Sequence, residues 1–169
     1  MMAAKDVPRS HEDLLQPQWN GKIVMVSKAY EWFLKLLKIW GEEKGMAYFK
    51  RLEQQNPGFR IGSSQIADLV AAGENPIGIN TYSTTVEDLK AKGAPLEWVP
   101  LDPVIAILHP IAITAQAPHP NAAKLFVDYF LSKEGMTVLR GFKRIPSRPD
   151  VEPMVPRLTK GIKFYASEP

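Results

Sequence analysis

Polar side chains cluster at three points in the sequence where an apolar segment ends and a helical pattern begins. Hydroxyl, phenol and carboxamide groups donate and accept hydrogen bonds, and they are uncharged at neutral pH. We therefore interpret the three clusters as parts of a ligand-binding site. In chain order the candidate residues are Ser27 and Tyr30, then Ser63, Ser64 and Gln65, and finally Asn80, Thr81 and Tyr82.

The second cluster follows Gly62 and has the composition of an anion site. Glycine permits close approach of the backbone, and serine hydroxyls together with backbone N–H groups at the start of a helix can hold a phosphate or a carboxylate. A second interpretation remains open, in which Ser63 or Ser64 is the N-cap of that helix, and one residue can do both. For the third cluster the second interpretation is an ordinary turn into the next helix.

Catalytic motifs are missing from this sequence. It contains no GxSxG, Walker, HExxH or GxGxxG pattern and no cysteine, which excludes a thiolate nucleophile. The three histidines, His11, His109 and His119, stand in unrelated contexts, and structural or solvent-facing roles are favoured for them. An acid/base pair at strand ends would have to come from Asp102 and Glu74. We predict a chain that is not an enzyme and needs no cofactor.

Composition and charge limit the classes of partner. The chain has 169 residues, 45% of them hydrophobic, and a formal net charge of +3, which predicts one soluble domain or at most two. The densest basic stretch, Arg140 to Arg148, also holds glycine, proline and apolar residues, which argues against nucleic-acid binding. No membrane span or signal peptide is visible, and the abrupt start predicts a mature fragment, an expression boundary or a truncated gene.

The elements that must position the polar clusters alternate from Gly21 onward. Because strands and helices alternate, the sequence predicts an α/β fold with a mostly parallel sheet and helices on both faces. Ligands of such sheets bind outside the carboxyl ends of the strands. The predicted strands are 22–26, 59–61, 76–82 and 96–99, and the predicted helices are 30–40, 42–55, one opening at 62–64, and one containing Val86 and Leu89 that is capped by Thr84 and Thr85.

The sequence changes character beyond Pro100. The stretch from Val104 to Thr114 predicts two strands or a bent crossover, and an amphipathic helix with Asn121 as N-cap follows. A short helix from Lys133 to Gly141 precedes a proline-rich tail. We expect three segments, 1–20, 21–103 and 104–169. The predicted apolar stripe of the amphipathic helix consists of Ala122, Leu125, Phe126, Tyr129 and Phe130.

Four motifs in order resemble family 1 extracellular solute-binding proteins, which serve ABC importers. VPRSHEDLLQPQWNGKIVM resembles the segment that enters the second lobe of those proteins, and AAGENPIGINTY resembles a helix-to-strand unit. APHPNAAKLFVDYFLSKEG and RIPSRPDV are similar to the family's later helix and tail. The resemblance covers nearly all of the chain. It implies a periplasmic-binding-protein-like second lobe (21–103), with 1–20 as crossover segment, 104–169 as return segment, and the first lobe missing.

What the resemblance implies about ligands depends on one departure. Ferric-binding members carry two adjacent tyrosines after this strand, whereas this chain has Tyr82 followed by Ser83. Tyr82 is therefore a metal ligand only if the protein binds Fe(III), and a small organic or phosphorylated anion is favoured. The resemblance also implies a periplasmic or extracytoplasmic location and an ABC permease as partner. An effector-sensing domain of a regulator, or an enzyme on this fold, is the alternative.

A missing first lobe would leave the predicted helix at 121–132 without a packing partner. We therefore expect exposed apolar surface on it. Such a surface predicts self-association, as a homodimer, or an altered packing of the helix.

Overall fold

The computed structural model describes Met2 and residues 6–166. This part of the chain folds as two compact units, one running to Ile107 and taking in the stretch from Lys163, the other from Leu108 to Ile162. The strands are β1 (Ile23–Val26), β2 (Gly58–Arg60), β3 (Ile77–Ile79), β4 (Val104–Ala106) and β5 (Phe164–Ala166), and the helices are α1 (Tyr30–Trp40), α2 (Glu42–Glu53), α3 (Ser63–Ala71), α4 (Ser83–Ala91), α5 (Pro120–Leu131) and α6 (Lys133–Gly141).

The main sheet of the first unit has three parallel strands in the order β2-β1-β3. Val26 is in register with Arg60, and Met25 is in register with Ile79, so the three strands end within one residue of the same level. Parallel strands need crossover connections, and the helices between them supply these. The predicted parallel α/β fold is confirmed.

Helices cover both faces of this sheet. On one face Ile23, Ile77 and Ile79 share a buried cluster with Tyr48 and Leu52 of α2. Short 3-10 helices, Glu12–Leu15 and Pro17–Trp19, add Leu14, Leu15 and Trp19 to that cluster.

On the other face α3 lies so close to β3 that only glycine fits at position 78. A Cβ atom on Gly78 would lie 2.6 Å from Cγ2 of Ile66 and 3.1 Å from Cγ2 of Val70. Because Ile66 is itself fully buried, it has no room to give way. The predicted arrangement with helices on both faces is thus confirmed.

The predicted fourth strand, Leu96–Val99, is wrong. Leu96 is instead buried against Ala67 and Val86 in a small cluster beside α3 and α4. The Glu97 side chain accepts a hydrogen bond from the N–H of Trp98 (3.0 Å) and binds Lys90 (2.6 Å). Pro95 and Pro100 flank the segment and lack the N–H that a strand ladder needs. Side-chain bonds therefore replace strand pairing here.

The predicted strands in 104–114 are only partly present. Val104–Ala106 is β4, which pairs in parallel with β5 to form a separate two-stranded sheet. The residues from Ile107 to Thr114 form no strand in the described structure.

In the second unit α5 and α6 meet at Ser132, which is the C-cap of α5 and the N-cap of α6. The predicted cap at Asn121 is wrong, because α5 begins at Pro120 with His119 as N-cap; proline at the first position has the backbone angle that a helix needs. As expected, the apolar stripe of α5 is not covered, and no residue of α5 is buried. Among the described residues no helix is long and apolar enough to cross a bilayer.

Candidate binding edge of the sheet

The three predicted polar clusters lie after three neighbouring parallel strands. Ser27 follows β1, Ser63 opens α3 shortly after β2, and Asn80 follows β3. Since neighbouring strands are about 4.8 Å apart, the outer two strands of this sheet end roughly 10 Å from each other, a span that suits a small solute. We call this region, made of residues 27–30, 62–65 and 80–83, the binding edge.

The start of α3 resolves the two interpretations of its serines. Gly62 is the N-cap of α3, so neither Ser63 nor Ser64 holds that position, and the capping interpretation is wrong. Because glycine has no side chain, the first-turn N–H groups receive no side-chain cap. Ser63 is half-buried, whereas Ser64 and Gln65 are exposed. A Cβ atom on Gly62 would meet no atom within 4 Å, so the space beside the backbone of this N-cap residue is open.

The third cluster leads directly into α4. Asn80 has a left-handed backbone (φ 65°), and Tyr82 is the N-cap of α4 without a side-chain cap bond. Nδ2 of Asn80 and Oγ1 of Thr81 are buried and have no hydrogen-bond partner among the described residues. Buried polar groups are nearly always hydrogen-bonded, so two such donors side by side mark an unusual place.

The predicted cap for α4, the pair Thr84 and Thr85, is wrong. The helix begins at Ser83 with Tyr82 as N-cap, and Thr84 is buried within its first turn. Sequence reasoning therefore missed that the first-turn N–H groups of α4 also lie at the binding edge. The signal that was available is Asn80, a residue type that tolerates a left-handed backbone and so permits the sharp turn.

The first cluster links the ends of β1 and β2. The N–H of Ser27 donates to the carbonyl of Arg60 at 2.8 Å, so its backbone continues the ladder. Tyr30 is the first residue of α1, and its ring is exposed. Lys28, which sequence reasoning did not select, lies between them and brings a positive charge to the loop.

Electrostatics at the binding edge favour a negative ligand. Helices α1, α3 and α4 all begin there, and each helix start carries a partial positive charge of about half an elementary unit. No carboxylate lies within residues 27–30, 62–65 or 80–83. Among the described residues no group of three or more His, Cys, Asp or Glu side chains could hold a metal ion.

Sequence comparison assigns the family. The model of the bacterial extracellular solute-binding proteins matches residues 1–166. The chain belongs to this family of solute-binding proteins. An uncharacterized protein of Haemophilus influenzae is 29% identical over 140 residues, which are 79% of this chain and 40% of that protein. Family and fold are those of substrate-binding proteins and not of enzymes.

Solved structures agree with this assignment. The periplasmic binding protein AfuA from Actinobacillus pleuropneumoniae, solved with fructose-6-phosphate bound, matches with a TM-score of 0.65 and 29% identity over 83% of this chain and 46% of AfuA. Iron-bound HitA from Pseudomonas aeruginosa matches with a TM-score of 0.64 and 22% identity, over 90% of this chain and 55% of HitA. At 22% identity, the similarity to HitA shows the fold alone. The chain spans about half the length of these solved relatives and 40% of the curated one.

Proposed function

We propose that this chain captures a small phosphorylated organic anion at the binding edge and delivers it to an ABC-type importer in the periplasm. The observation that carries the proposal is the start of three helices at the ends of three neighbouring parallel strands. Helix starts bind phosphate through their backbone N–H groups and their dipoles. The family supports solute binding, and the fructose-6-phosphate bound by AfuA, at 29% identity, supports a phosphorylated ligand.

Each candidate residue has a part in this proposal. Ser63, Ser64 and the N–H groups of α3 hold the phosphate, with Gln65 at the rim. Asn80 and Thr81 offer their buried donors to the organic part of the ligand. Ser27, Tyr30 and Tyr82 border the opening and donate hydrogen bonds from hydroxyl groups.

Ferric ion is the second candidate ligand. A ferric site needs several hard, anionic ligands, whereas the binding edge offers two phenols, those of Tyr30 and Tyr82, and Tyr82 is followed by Ser83 instead of a second tyrosine. The phosphorylated anion is favoured because the binding edge has no carboxylate and three helix starts. If iron is the true ligand, a purple-red tyrosinate charge-transfer band would appear on adding ferric citrate, and Tyr82→Phe would abolish it.

Calorimetric titration of the purified chain tests the proposal. We expect heat on adding fructose-6-phosphate or glucose-6-phosphate and none on adding the unphosphorylated sugars. Ser63→Ala should weaken binding by about tenfold to 150-fold, because a hydrogen bond to a charged group contributes roughly 1.5–3 kcal/mol. Thr137→Ala, an exposed hydroxyl of α6 outside the binding edge, is the matched control. Equal loss in both variants, or equal heat from unphosphorylated sugars, contradicts the proposal.

The roles of the three chain segments and the partner proteins belong to the same proposal. We propose that 21–103 acts as one wall of the ligand cleft, that 1–20 and 104–169 act as crossover and return segments, and that an ABC permease receives the solute. A regulator's effector-sensing domain is the other function considered; a two-component signalling protein matches at 21% identity, which shows only a shared fold. The exposed stripe of α5 supports one more partner, a second copy of this chain.

A further inference from the structure

The least charged part of the sequence carries an exposed apolar surface. Between Asp102 and Lys133 the charged side chains are Lys124 and Asp128 alone. On α5 the side chains of Leu125, Phe126 and Tyr129 are exposed, and Leu125 is 71% exposed. Exposed apolar surface with few charges is the composition of an interface centre.

An open apolar pocket adjoins this stripe within the same unit. It has a volume of about 260 Å³ and lies between α5 and the segment 111–117. Its walls include Ile111, Ile113, Ala117, Ala123 and Phe126, and none of its lining residues is charged. Phe126 belongs both to the pocket wall and to the exposed stripe, so the pocket and the stripe form one continuous surface.

We propose that this surface binds a second copy of the chain in a two-fold dimer, with Leu125 of each copy in the pocket of the other. The inference rests on the proposed self-association and names its surface. A two-fold interface uses the same patch on both chains, so the patch must carry both the protrusion and the cavity. The second unit carries both, Leu125 and the pocket beside Phe126. The charged side chains between Asp102 and Lys133, Lys124 and Asp128, are one positive and one negative, so this stretch has no like-charge excess that would oppose pairing.

The area suits a reversible dimer. The exposed parts of Leu125, Phe126, Tyr129, Ile111 and Ile113, with the smaller Ala112 and Ala122 between them, present on the order of 500 Å² of apolar surface. Two copies would then bury about 1,000 Å², near the lower limit of a specific interface. A dimer of this size dissociates on dilution.

Sedimentation velocity over a range of concentrations tests this surface. The wild-type chain should form dimers as its concentration rises to about 200 µM, a range that covers weak specific contacts. Leu125→Glu should raise the dissociation constant at least about tenfold, because central apolar side chains dominate interface energies. Leu34→Glu, at a 61% exposed leucine of α1 in the first unit, is the matched control and should dimerise like the wild type.

A mixing experiment tests the pocket separately. Ala117→Trp fills the pocket and should block dimers of that variant. In a mixture, Leu125→Glu still has an open pocket and Ala117→Trp still has its leucine, so the two should form a heterodimer through one intact contact. Dimers of Ala117→Trp as strong as the wild type, or no heterodimer, would overturn the pocket assignment.

Two further results would overturn the dimer itself: a wild-type chain that stays monomeric at 200 µM (about the upper limit of weak contacts), or equal effects of Leu125→Glu and Leu34→Glu. The sugar-phosphate titration separates this inference from solute capture. Leu125→Glu should bind the sugar phosphate like the wild type, since Leu125 lies outside the binding edge. A chain that dimerises through this surface but binds no phosphate would contradict solute capture alone.

Discussion

The two compact units bury their apolar side chains to very different extents. In the first unit α1, α2 and α3 each contribute buried hydrophobic residues, and the sheet lies between layers of helix. In the second unit the buried hydrophobic side chains of the described residues are Met136, Val151 and Leu158, and α5 contributes none. An amphipathic pattern thus specifies a helix and its stripe, whereas burial requires a second surface to pack against.

The largest expected effect is the difference in unfolding free energy between a leucine substitution in the first unit and one in the second. Leu52→Ala removes a side chain that is 2% exposed and should lower the free energy of unfolding by about 2–5 kcal/mol. Leu125→Ala should change it by less than about 0.5 kcal/mol at concentrations where the chain is monomeric. Urea unfolding followed by far-UV circular dichroism measures both. Similar losses in the two variants would show that α5 is covered in the monomer.

A pair of glycines tests how tightly the first unit is packed. Gly78→Ala forces α3 away from β3 and should cost about 1–3 kcal/mol, because its Cβ atom would lie 2.6 Å from a buried isoleucine. Gly62→Ala meets nothing within 4 Å and has φ −117°, so its stability should be nearly unchanged. All four tryptophans precede Ile107, so their fluorescence reports on this unit. A Gly78→Ala variant as stable as Gly62→Ala would contradict the close approach of α3.

A buried histidine makes the stability of the first unit depend on pH. His11 is 7% exposed, and its ring lies edge-on to Trp40 and Tyr48, with centroid distances of 5.1 and 5.7 Å. Burial lowers the pKa of His11; backbone contacts with Pro103 and Leu101, and the charges of Asp102 and Glu12, oppose the shift.

The direction of the pH dependence follows from whether the folded or the unfolded chain takes up the proton more readily. The unfolded chain, with a histidine pKa near 6.5, binds the proton at a higher pH than the folded chain does. The stabilising contribution of neutral His11 is therefore present above about pH 6.5 and is lost as the pH falls through the folded pKa, by up to about 1.4 kcal/mol per pH unit. Urea midpoints between pH 8 and 5 measure it, and His11→Gln should have a shallower slope. Equal slopes would show that another group is responsible.

Sequence reasoning succeeded where a single residue determines the local backbone. Gly41 adopts a positive φ of 86°, which favours glycine, and α1 ends just before it at Trp40, as predicted for the helix 30–40. The predicted strand at Leu96–Val99 is wrong because the Glu97 side chain accepts a hydrogen bond from the N–H of its neighbour Trp98, a local side-chain bond that periodicity does not encode.

The sequence predicts where the three polar clusters of the candidate site lie, but not which residues begin the helices there. The clusters at Ser27, Ser63 and Asn80 come together because parallel strands bring their carboxyl ends to one edge, which alternation alone predicts. The caps predicted at Asn121 and at Thr84 each lie two residues beyond the observed N-caps, His119 and Tyr82. The observed N-caps, His119 and Tyr82, are not among the residue types that N-caps prefer, so cap preference alone does not locate these two helix starts.

The smallest expected effect is the difference in unfolding free energy between substitutions at the observed cap Ser132 and at the predicted cap Asn121 of the second unit. Ser132 Oγ accepts a hydrogen bond from the N–H of Gly135 (3.1 Å) and donates one to the carbonyl of Tyr129 (2.6 Å), so it joins α5 to α6. Ser132→Ala should lower the free energy of unfolding of this unit by about 1 kcal/mol, the usual cost of losing an N-cap. Asn121→Ala should cost less than about 0.5 kcal/mol, because His119 holds the N-cap position of α5.

Circular dichroism during urea unfolding distinguishes these two cap variants, since the second unit has no tryptophan. A larger loss in the free energy of unfolding for Asn121→Ala than for Ser132→Ala would show that Asn121, and not His119, is the N-cap of α5. Because α5 buries no side chain, the bonds at Ser132 form a large share of what fixes this helix to its neighbour. A cap should therefore matter more in this unit than a cap of equal geometry would in the first.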